Sequence, residues 1–386
     1  KTPTHKPGEA HPTMTLALIL FLLPLRVTDA TDPLNDDEGG SSRMLQVRAG
    51  PCKKPFTSCV KVKSVPRPKA KSGHALIAIN SSSVNPSDVD TVELGGCLLG
   101  CGNDVAGTVM ECPDCTRLKP GDRVWGAGHP SYAEFVSSSE ADLALAPENL
   151  PLEQAGTIPE VGLTSLFSLK RTGSLPNDPM PEGSPWINDT KSGNLTVVIT
   201  SGSGGTGFIG IEIAKAYGAT HIATAASGEE EIAFVKGLGA TFVVDYKKAD
   251  LFESLPDDSV DVVYDNYGEE GTADKAMRTL RAGGVYLLLP HSGCYAKKTQ
   301  GPPCLSGNPK PGVRQINYNT APDFKQYSAQ GLQELTQMFE AGKLTAQIAK
   351  TFRGLNSAAA AFNFSAGGGA GGVSDNHFGK IALVPN

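Results

Sequence analysis

The chain has few of the features that would mark a nucleic-acid, membrane-spanning or metal-dependent protein. It contains no long basic run, and 34 Lys and Arg against 40 Asp and Glu leave a net charge of −6. Nucleic acid is therefore excluded as an expected partner. The apolar run after Met14, TLALILFLLPL, has only about ten residues and is too short to cross a bilayer. Charged residues make up 19% and hydrophobic residues 39% of the 386 positions, which excludes both a disordered chain and a fibre and leaves room for two domains.

The short apolar run fits the core of a cleaved signal peptide, with small residues at Thr28 and Ala30 for the peptidase. The expectation is entry to the secretory route, either the endoplasmic reticulum or an organelle reached through it, if Met14 to Ala30 is such a peptide, and a cytoplasmic protein otherwise. Residues 31–43 then read as an acidic Gly/Ser-rich linker. Eight cysteines, an even set, and sequons at Asn80, Asn188, Asn194 and Asn363 suit a secretory protein.

What the chain does contain is concentrated between Asn194 and Gly218. Leu195, Val197, Val198 and Ile199 form the β-branched run of a strand buried on both faces of a parallel sheet. Gly202, Gly204 and Gly207 then spell G-x-G-x-x-G, followed by a helix from Phe208 to Tyr217 whose N–H groups and dipole end point at the turn. A second strand, His221 to Ala225, closes the strand–helix–strand unit that a dinucleotide's pyrophosphate requires. A helix from Glu229 to Leu238 and strands at Phe242 to Tyr246, Val260 to Tyr264 and Val285 to Leu289 give five parallel-type strands, a doubly wound α/β sheet.

The end of the second strand bears on the cofactor. An NAD-dependent site places an Asp or Glu there, against the ribose 2′-hydroxyl. Here the residues are Ala225, Ala226, Ser227 and Gly228, so NADPH is expected, its 2′-phosphate held by Ser227, Tyr246, Lys247 or backbone N–H groups. Against this stand Glu229, Glu230 and Glu231, with no Arg or Lys before Lys236.

Upstream, residues from Met44 to Val136 alternate apolar and polar side chains and are punctuated by Pro and Gly, as antiparallel strands are. They include a strand predicted at Tyr132 to Val136. Leu152 to Leu169 turns helical with Pro159 as an interruption, and 172–193 reads as a loop. Beyond the sheet come a strand candidate at Val313 to Tyr318, helices at Phe324 to Ala341 and Ser357 to Phe364, and a last strand at Lys380 to Val384.

In order and spacing these landmarks resemble the medium-chain dehydrogenase/reductase superfamily, in particular its zinc-free quinone oxidoreductase branch of zeta-crystallin-like and enone reductases. The resemblance is carried by Ser83 to Asp88 (SVNPSD), Asp104 to Gly107 (DVAG), Lys119 to Val124 (KPGDRV), Tyr132 to Glu134 (YAE), Val161 to Thr164 (VGLT), Ser201 to Gly207, Asp245-Tyr246, Glu340 to Leu344 and Gly379 to Ile381. It implies a Rossmann domain at 153–318 inserted in a β-rich GroES-like catalytic domain at 44–152 and 319–386, behind a targeting segment and linker at 1–43. It also implies a site in the cleft between the domains, and a homodimer paired through the strand at Val313 to Tyr318.

Asn85 and Asp88 stand where the superfamily's zinc enzymes use a Cys-containing motif, and Asn103-Asp104 where they have Gly-His-Glu, so no catalytic metal is expected. Cys97, Cys101, Cys112 and Cys115 have a spacing that admits structural zinc, but read rather as disulfides or free thiols. The implied activity is hydride transfer from NADPH to a small-molecule quinone or α,β-unsaturated carbonyl. The alternative is a cofactor-binding accessory or structural member with little or no catalysis.

Asn85 either donates to the substrate carbonyl or bonds local backbone in an Asn-Pro turn. Tyr132 is either a proton donor or packing. The resemblance assigns Thr164 to the nicotinamide end of the cofactor, and Gly202, Gly204, Gly205, Thr206, Gly207, Ser227, Tyr246 and Asn266 to other cofactor contacts. Many relatives have a tyrosine two residues beyond the Asp of the first motif, where this chain has Asp90, so solvent is a candidate proton source.

Overall fold

The computed structural model describes residues 42–171, 195–289, 304–367 and 378–386. The segment from Met14 to Ala30, the loop 172–193, His291, Cys294, and the sequons at Asn188 and Asn194 lie outside the described residues.

β1 (Arg43–Ala49) and β2 (Val60–Pro66) form an antiparallel ribbon with Val47 opposite Val62. β3 (His74–Val84), α1 (Pro86–Leu94), β4 (Asp104–Glu111), β5 (Arg123–Ala127), β6 (Phe135–Ser139) and β7 (Leu143–Leu145) follow. The chain then passes through α2 (Leu152–Ala155) and α3 (Pro159–Arg171). The expected interruption at Pro159 is the start of α3, where proline's missing N–H has no cost.

The next elements are β8 (Leu195–Ile199), α4 (Gly205–Ala216), β9 (Ala219–Ala226), α5 (Glu229–Leu238), β10 (Phe242–Asp245), β11 (Val260–Asp265), α6 (Thr272–Thr279), β12 (Leu280–Leu288) and β13 (Arg314–Asn317). The last are α7 (Ala321–Glu340), β14 (Ile348–Arg353), α8 (Ala358–Ser365) and β15 (Lys380–Val384).

Two larger sheets organise these elements. One has six strands in the order β10-β9-β8-β11-β12-β13, each pair parallel. Counted within the sheet this is 3-2-1-4-5-6, the doubly wound order, and its switch point lies between β8 and β11. Val197, Val198, Ile199 and Val263 are fully buried, as strands covered by helices on both faces must be. β13 is a sixth strand on the edge of this sheet.

The second sheet has seven strands, with β14-β15-β3-β4-β5-β7 in order and β6 paired to β3. β15, from the far end of the chain, lies antiparallel to β3 with Ile381 opposite Val84. Both ends of the described chain therefore build one GroES-like β domain, with the Rossmann sheet between them in sequence. The strand predicted at Tyr132 begins only at Phe135, and Tyr132 stands in the turn before it.

α7 ties the two parts together, packing on α3, β5 and β7. At its centre Trp125 of β5 meets Phe339 edge-on, with centroids 5.8 Å apart, and is fully buried. Its indole N–H has no partner among the described residues. Trp125→Ala is expected to cost about 3–5 kcal/mol, read as a lower urea midpoint. Trp125→Phe keeps an edge-on ring and removes the unpartnered N–H, so it should lose clearly less.

Candidate functional site

The glycine turn joins β8 to α4 at the carboxyl edge of the parallel sheet. A Cβ on Gly202 would lie 2.2 Å from Thr224 Oγ1, and one on Gly207 2.0 Å from the Ser201 carbonyl. Those two glycines let helix, turn and neighbouring strand close on one another. At Gly204 an added Cβ would meet only Ser201, no nearer than 3.2 Å, which leaves the middle of the turn open to a ligand.

Gly204 is the N-cap of α4 and supplies no side-chain cap. The first N–H groups of the helix, at Gly205, Thr206 and Gly207, are left for an anion. Behind them Ser165 Oγ donates to the Thr206 carbonyl at 2.9 Å and fixes α4 against α3. Thr164, its neighbour on α3, is 8% exposed. Asn266 follows β11, where its N–H donates to Thr200 Oγ1 at 3.0 Å, and its Nδ2 is buried without a partner among the described residues. An open turn, an uncapped helix start and an orphaned amide at one sheet edge fit a dinucleotide.

The corner at the end of β9 differs from its sequence expectation. Ala225 to Gly228 supply no carboxylate, yet the fold brings two there from elsewhere. Glu231, in the first turn of α5, accepts from the Ser227 N–H at 2.8 Å and from Ser203 Oγ. Asp245, at the end of β10, accepts from Ser227 Oγ at 2.7 Å and pairs with Lys248 at 3.0 Å. Those bonds hold the Asp245 carboxyl below its ordinary range. Tyr246 is 55% exposed beside this corner.

A buried charge cluster lies where the two parts of the molecule meet. Asn85, at the start of α1, is 1% exposed and is bonded on both ends of its amide. Its Nδ2 donates to Asp104 Oδ2 at 2.8 Å and to Glu160 Oε2 at 3.1 Å, while its Oδ1 accepts from the Lys380 ammonium. Asp104 Oδ1 in turn caps α3 by accepting from the Glu160 N–H at 2.7 Å, and Ser83 Oγ donates to Asp104 Oδ2 at 2.5 Å. Glu160 Oε1 accepts from Ser87 Oγ at 2.7 Å.

Asp88 accepts from the Asn85 N–H at 2.9 Å. The Tyr132 hydroxyl lies 2.8 Å from Asp88 Oδ2 and 2.8 Å from the Ser83 carbonyl. Tyr132 is fully buried, so its hydroxyl reaches Asp88 and the Ser83 carbonyl and no solvent. Burial, then the Asp88 charge, push its pKa well up. The cluster also touches the glycine turn, since a Cβ on Gly205 would lie 3.0 Å from Val161 Cγ1 and 3.2 Å from Lys380 Cδ.

Three carboxylates around one ammonium, two of them buried and the third half-buried, cannot all stay ionised at neutral pH. Burial, followed by repulsion from Asp104 and Asp88, pushes Glu160 up to about 8. Burial pushes Asp88 up to about 6, against the bonds it accepts from Asn85 and Tyr132. Lys380 is pulled below its ordinary value by burial, and the three carboxylates pull back the other way.

The cysteines form a separate feature. Cys97 and Cys101, Cys112 and Cys115, and Cys52 and Cys59 each close a disulfide, and no described cysteine is free. The first four thus carry no thiolate for zinc. Among the described residues no group of three or more His, Cys, Asp or Glu is arranged to hold a metal ion, and none of their helices is long and apolar enough to cross a membrane.

Comparison with known proteins agrees with this architecture. Residues 71–159 match the alcohol dehydrogenase GroES-like domain family, and residues 238–373 match a family described as zinc-binding dehydrogenase. The chain belongs to the medium-chain dehydrogenase/reductase superfamily.

It is 29% identical over 315 residues to the bovine protein named NAD(P)H oxidoreductase RTN4IP1, mitochondrial, covering 72% of this chain and 75% of that one. It is 34% identical over 196 residues to the zebrafish protein of the same name, and there spans 47% of the relative's length. Escherichia coli quinone oxidoreductase, solved with NADPH, superposes with a TM-score of 0.69 over 88% of this chain and all of that one, at 17% identity.

Asn85 and Tyr132 are thus brought into one network through Asp88, while Ser227, Tyr246 and Asn266 line the sheet edge. Glu160, Lys380, Asp88 and Asp104 were not among the residues singled out for a functional role. Asp104 and Lys380 did stand in the DVAG and GKI landmarks, but an acid at the second position of a helix ordinarily reads as a dipole partner.

The raised pKa values set a pH dependence. Glu160 and Asp88 hold protons in the folded chain that the unfolded chain, with ordinary values of 4.5 and 3.8, has released. Their stabilising contribution is complete below those ordinary values and is lost as pH rises through about 6 and about 8. The melting temperature should fall across that window. Lys380→Met, which removes the only cation of the cluster, should cost about 3–5 kcal/mol near neutral pH and less in acid, where the carboxylates are protonated.

Proposed function

We propose that this chain is an NADPH-dependent reductase that delivers a hydride to a quinone or an α,β-unsaturated carbonyl without a metal ion, and that it works as a homodimer. The observation that carries the reading is the open glycine turn and uncapped start of α4, meeting at Gly205 the side chain of Lys380 that reaches Asn85. Gly202, Gly204, Gly205, Thr206 and Gly207 would cradle the diphosphate, Thr164 and Asn266 the nicotinamide half, and Ser227, Tyr246 and Lys247 the adenosine 2′-phosphate. The cofactor supplies the hydride, and the protein orients and polarises the acceptor.

Asn85 is the polarising group. Of its two amide hydrogens, the one given to Glu160 at 3.1 Å is more loosely held than the one given to Asp104 at 2.8 Å. That hydrogen is the one to offer a substrate oxygen as negative charge develops.

Cofactor choice rests on the Ser227 corner, where Lys247 and Lys248 favour a 2′-phosphate and Glu231 and Asp245 oppose it. β13, the edge of the parallel sheet, supports pairing with a second copy. The disulfides suit an oxidising compartment on the secretory route, whereas the bovine and zebrafish relatives carry "mitochondrial" in their names.

The test is NADPH oxidation by the protein lacking residues 1–43, with 9,10-phenanthrenequinone and with a short-chain enone, repeated with NADH. Turnover with NADPH and little with NADH is expected. Asn85→Ala should lower kcat by roughly 10²–10³, the usual loss for one donor at a developing oxyanion. Glu231→Gln should lower the KM for NADPH and leave that for NADH unchanged. Binding of NADPH with neither acceptor reduced would overturn the reductase reading in favour of an accessory role.

A further inference from the structure

We propose that Glu160 is the acid that protonates the reduced acceptor, a role that rests on the reductase reading above. The position is distinctive among the acids of the cluster. Asn85, Asp88, Asp104, Tyr132 and Lys380 are 5% exposed or less, whereas Glu160 is partly exposed. It sits at the start of α3, bonded to the polarising Asn85 amide on one oxygen and to Ser87 on the other. The next residue, Val161, packs on Gly205 of the cofactor turn. Glu160 is therefore the acid of the cluster that both touches the proposed oxyanion donor and has an open side.

The groups facing Glu160 decide its protonation. Asp88 comes from α1, Asp104 from β4 and Lys380 from β15, with Ser87 and Asn85 donating to it and Tyr132 standing behind Asp88. Burial and the two neighbouring carboxylates keep Glu160 protonated at neutral pH, its value pushed up to about 8.

The proton balance is direct. Once the acceptor has taken up a hydride, the two electrons of its C=C or C=O π bond reside on oxygen, as an enolate or quinolate held by Asn85. The Glu160 O–H bond breaks, its electron pair stays on the carboxylate, and the proton passes to the enolate's α-carbon or to the quinolate oxygen. The new Glu160 carboxylate lies in the field of the Lys380 ammonium and regains a proton from solvent through its exposed side. Tyr132 and Asp88 act here as positioning residues, holding the Asn85 loop.

Two measurements test this, and the first needs no cofactor or turnover. Infrared difference spectra of the unloaded protein, wild type minus Glu160→Gln, should contain a protonated carboxyl stretch that disappears with an apparent pKa near 8, the value to which Glu160 is raised. If no such band is present, Glu160 holds no proton to give and the proposal falls, whatever the activity.

The second is the pH profile of kcat with an enone and saturating NADPH. Wild type should lose activity on the alkaline side, and Glu160→Gln should be slower by roughly 10²-fold, within the usual range for a general acid, and lack that limb. The dissociation constant for NADPH should stay within about twofold of wild type, since a general acid acts on the reaction step rather than on cofactor binding. Glu160→Asp, which keeps the acid, should recover part of the rate and the limb, and it serves as the second variant if Glu160→Gln folds poorly. A Glu160→Gln enzyme with wild-type kcat and an unchanged limb would assign the proton to solvent and overturn the proposal. A wild type that titrates as expected in the infrared but reduces neither acceptor would instead overturn the reductase reading, and this role with it.

Discussion

The structure depends on one crowded contact. Asp88, Asp104 and the half-buried Glu160 are gathered around the Lys380 ammonium with the Asn85 amide between them, and all but Glu160 are 5% exposed or less. A buried ion pair rarely adds net stability over apolar packing, because desolvation offsets most of the attraction. What such a cluster does well is fix orientation. The Asn85 amide cannot flip without setting its oxygen against two carboxylates and its nitrogen against an ammonium.

That one orientation organises the surrounding chain. Asp88 accepts from the Asn85 N–H and so starts α1, and Asp104 accepts from the Glu160 N–H and so starts α3. The strands that carry Asp104, Ser83 and Lys380 are neighbours in the seven-stranded sheet, so the cluster is held at one end of β4, β3 and β15 by main-chain pairing. The same Lys380 side chain runs past Gly205. A glycine at that point does two jobs, leaving helix N–H groups accessible to phosphate and leaving space for the lysine stem. The glycine turn and the proposed acceptor site thus meet through direct contact rather than through a long relay.

Much of the fold was legible in the sequence because its signals are local. The β-branched run at β8, the glycine spacing and the alternation of strand and helix each lie within a few tens of residues, and the elements follow them closely. α5 has the predicted bounds, whereas Tyr132 precedes its strand, α1 interrupts a stretch read as strands, β14 was not foreseen, and β13 joins the sheet as a sixth strand. The site was less legible. Its cluster joins residues up to 295 positions apart, and nothing local to Glu160 distinguishes it from an ordinary acid in a helix's first turn. The Ser227 corner shows the same effect on a smaller scale, since Glu231 stood nearby in the sequence as an argument against a 2′-phosphate, whereas Asp245 reaches the corner from β10. The cysteine alternatives could be decided only by which pairs the backbone brings together.

The chemistry that remains is a matter of access. Tyr132 has the right functional group for proton transfer but is sealed beneath the Asn85 loop, with burial and a neighbouring carboxylate both opposing loss of its proton. A group that gives up a proton to a transient anion must reach that anion, must be protonated beforehand, and must have its own resulting charge accommodated. Asp104 and Asp88 are committed elsewhere, their oxygens taken by Ser83, Asn85, Tyr132 and the Glu160 N–H that starts α3. Lys380 meets the second, but its ammonium lies behind Asn85 and compensates the carboxylates. In the proposed role Glu160 would meet all three through the same arrangement, because the two carboxylates that raise its affinity for the proton sit beside the cation that would accommodate its charge. The crowding that makes the cluster costly to bury is thus what keeps an acid protonated at neutral pH next to the proposed oxyanion donor, Asn85.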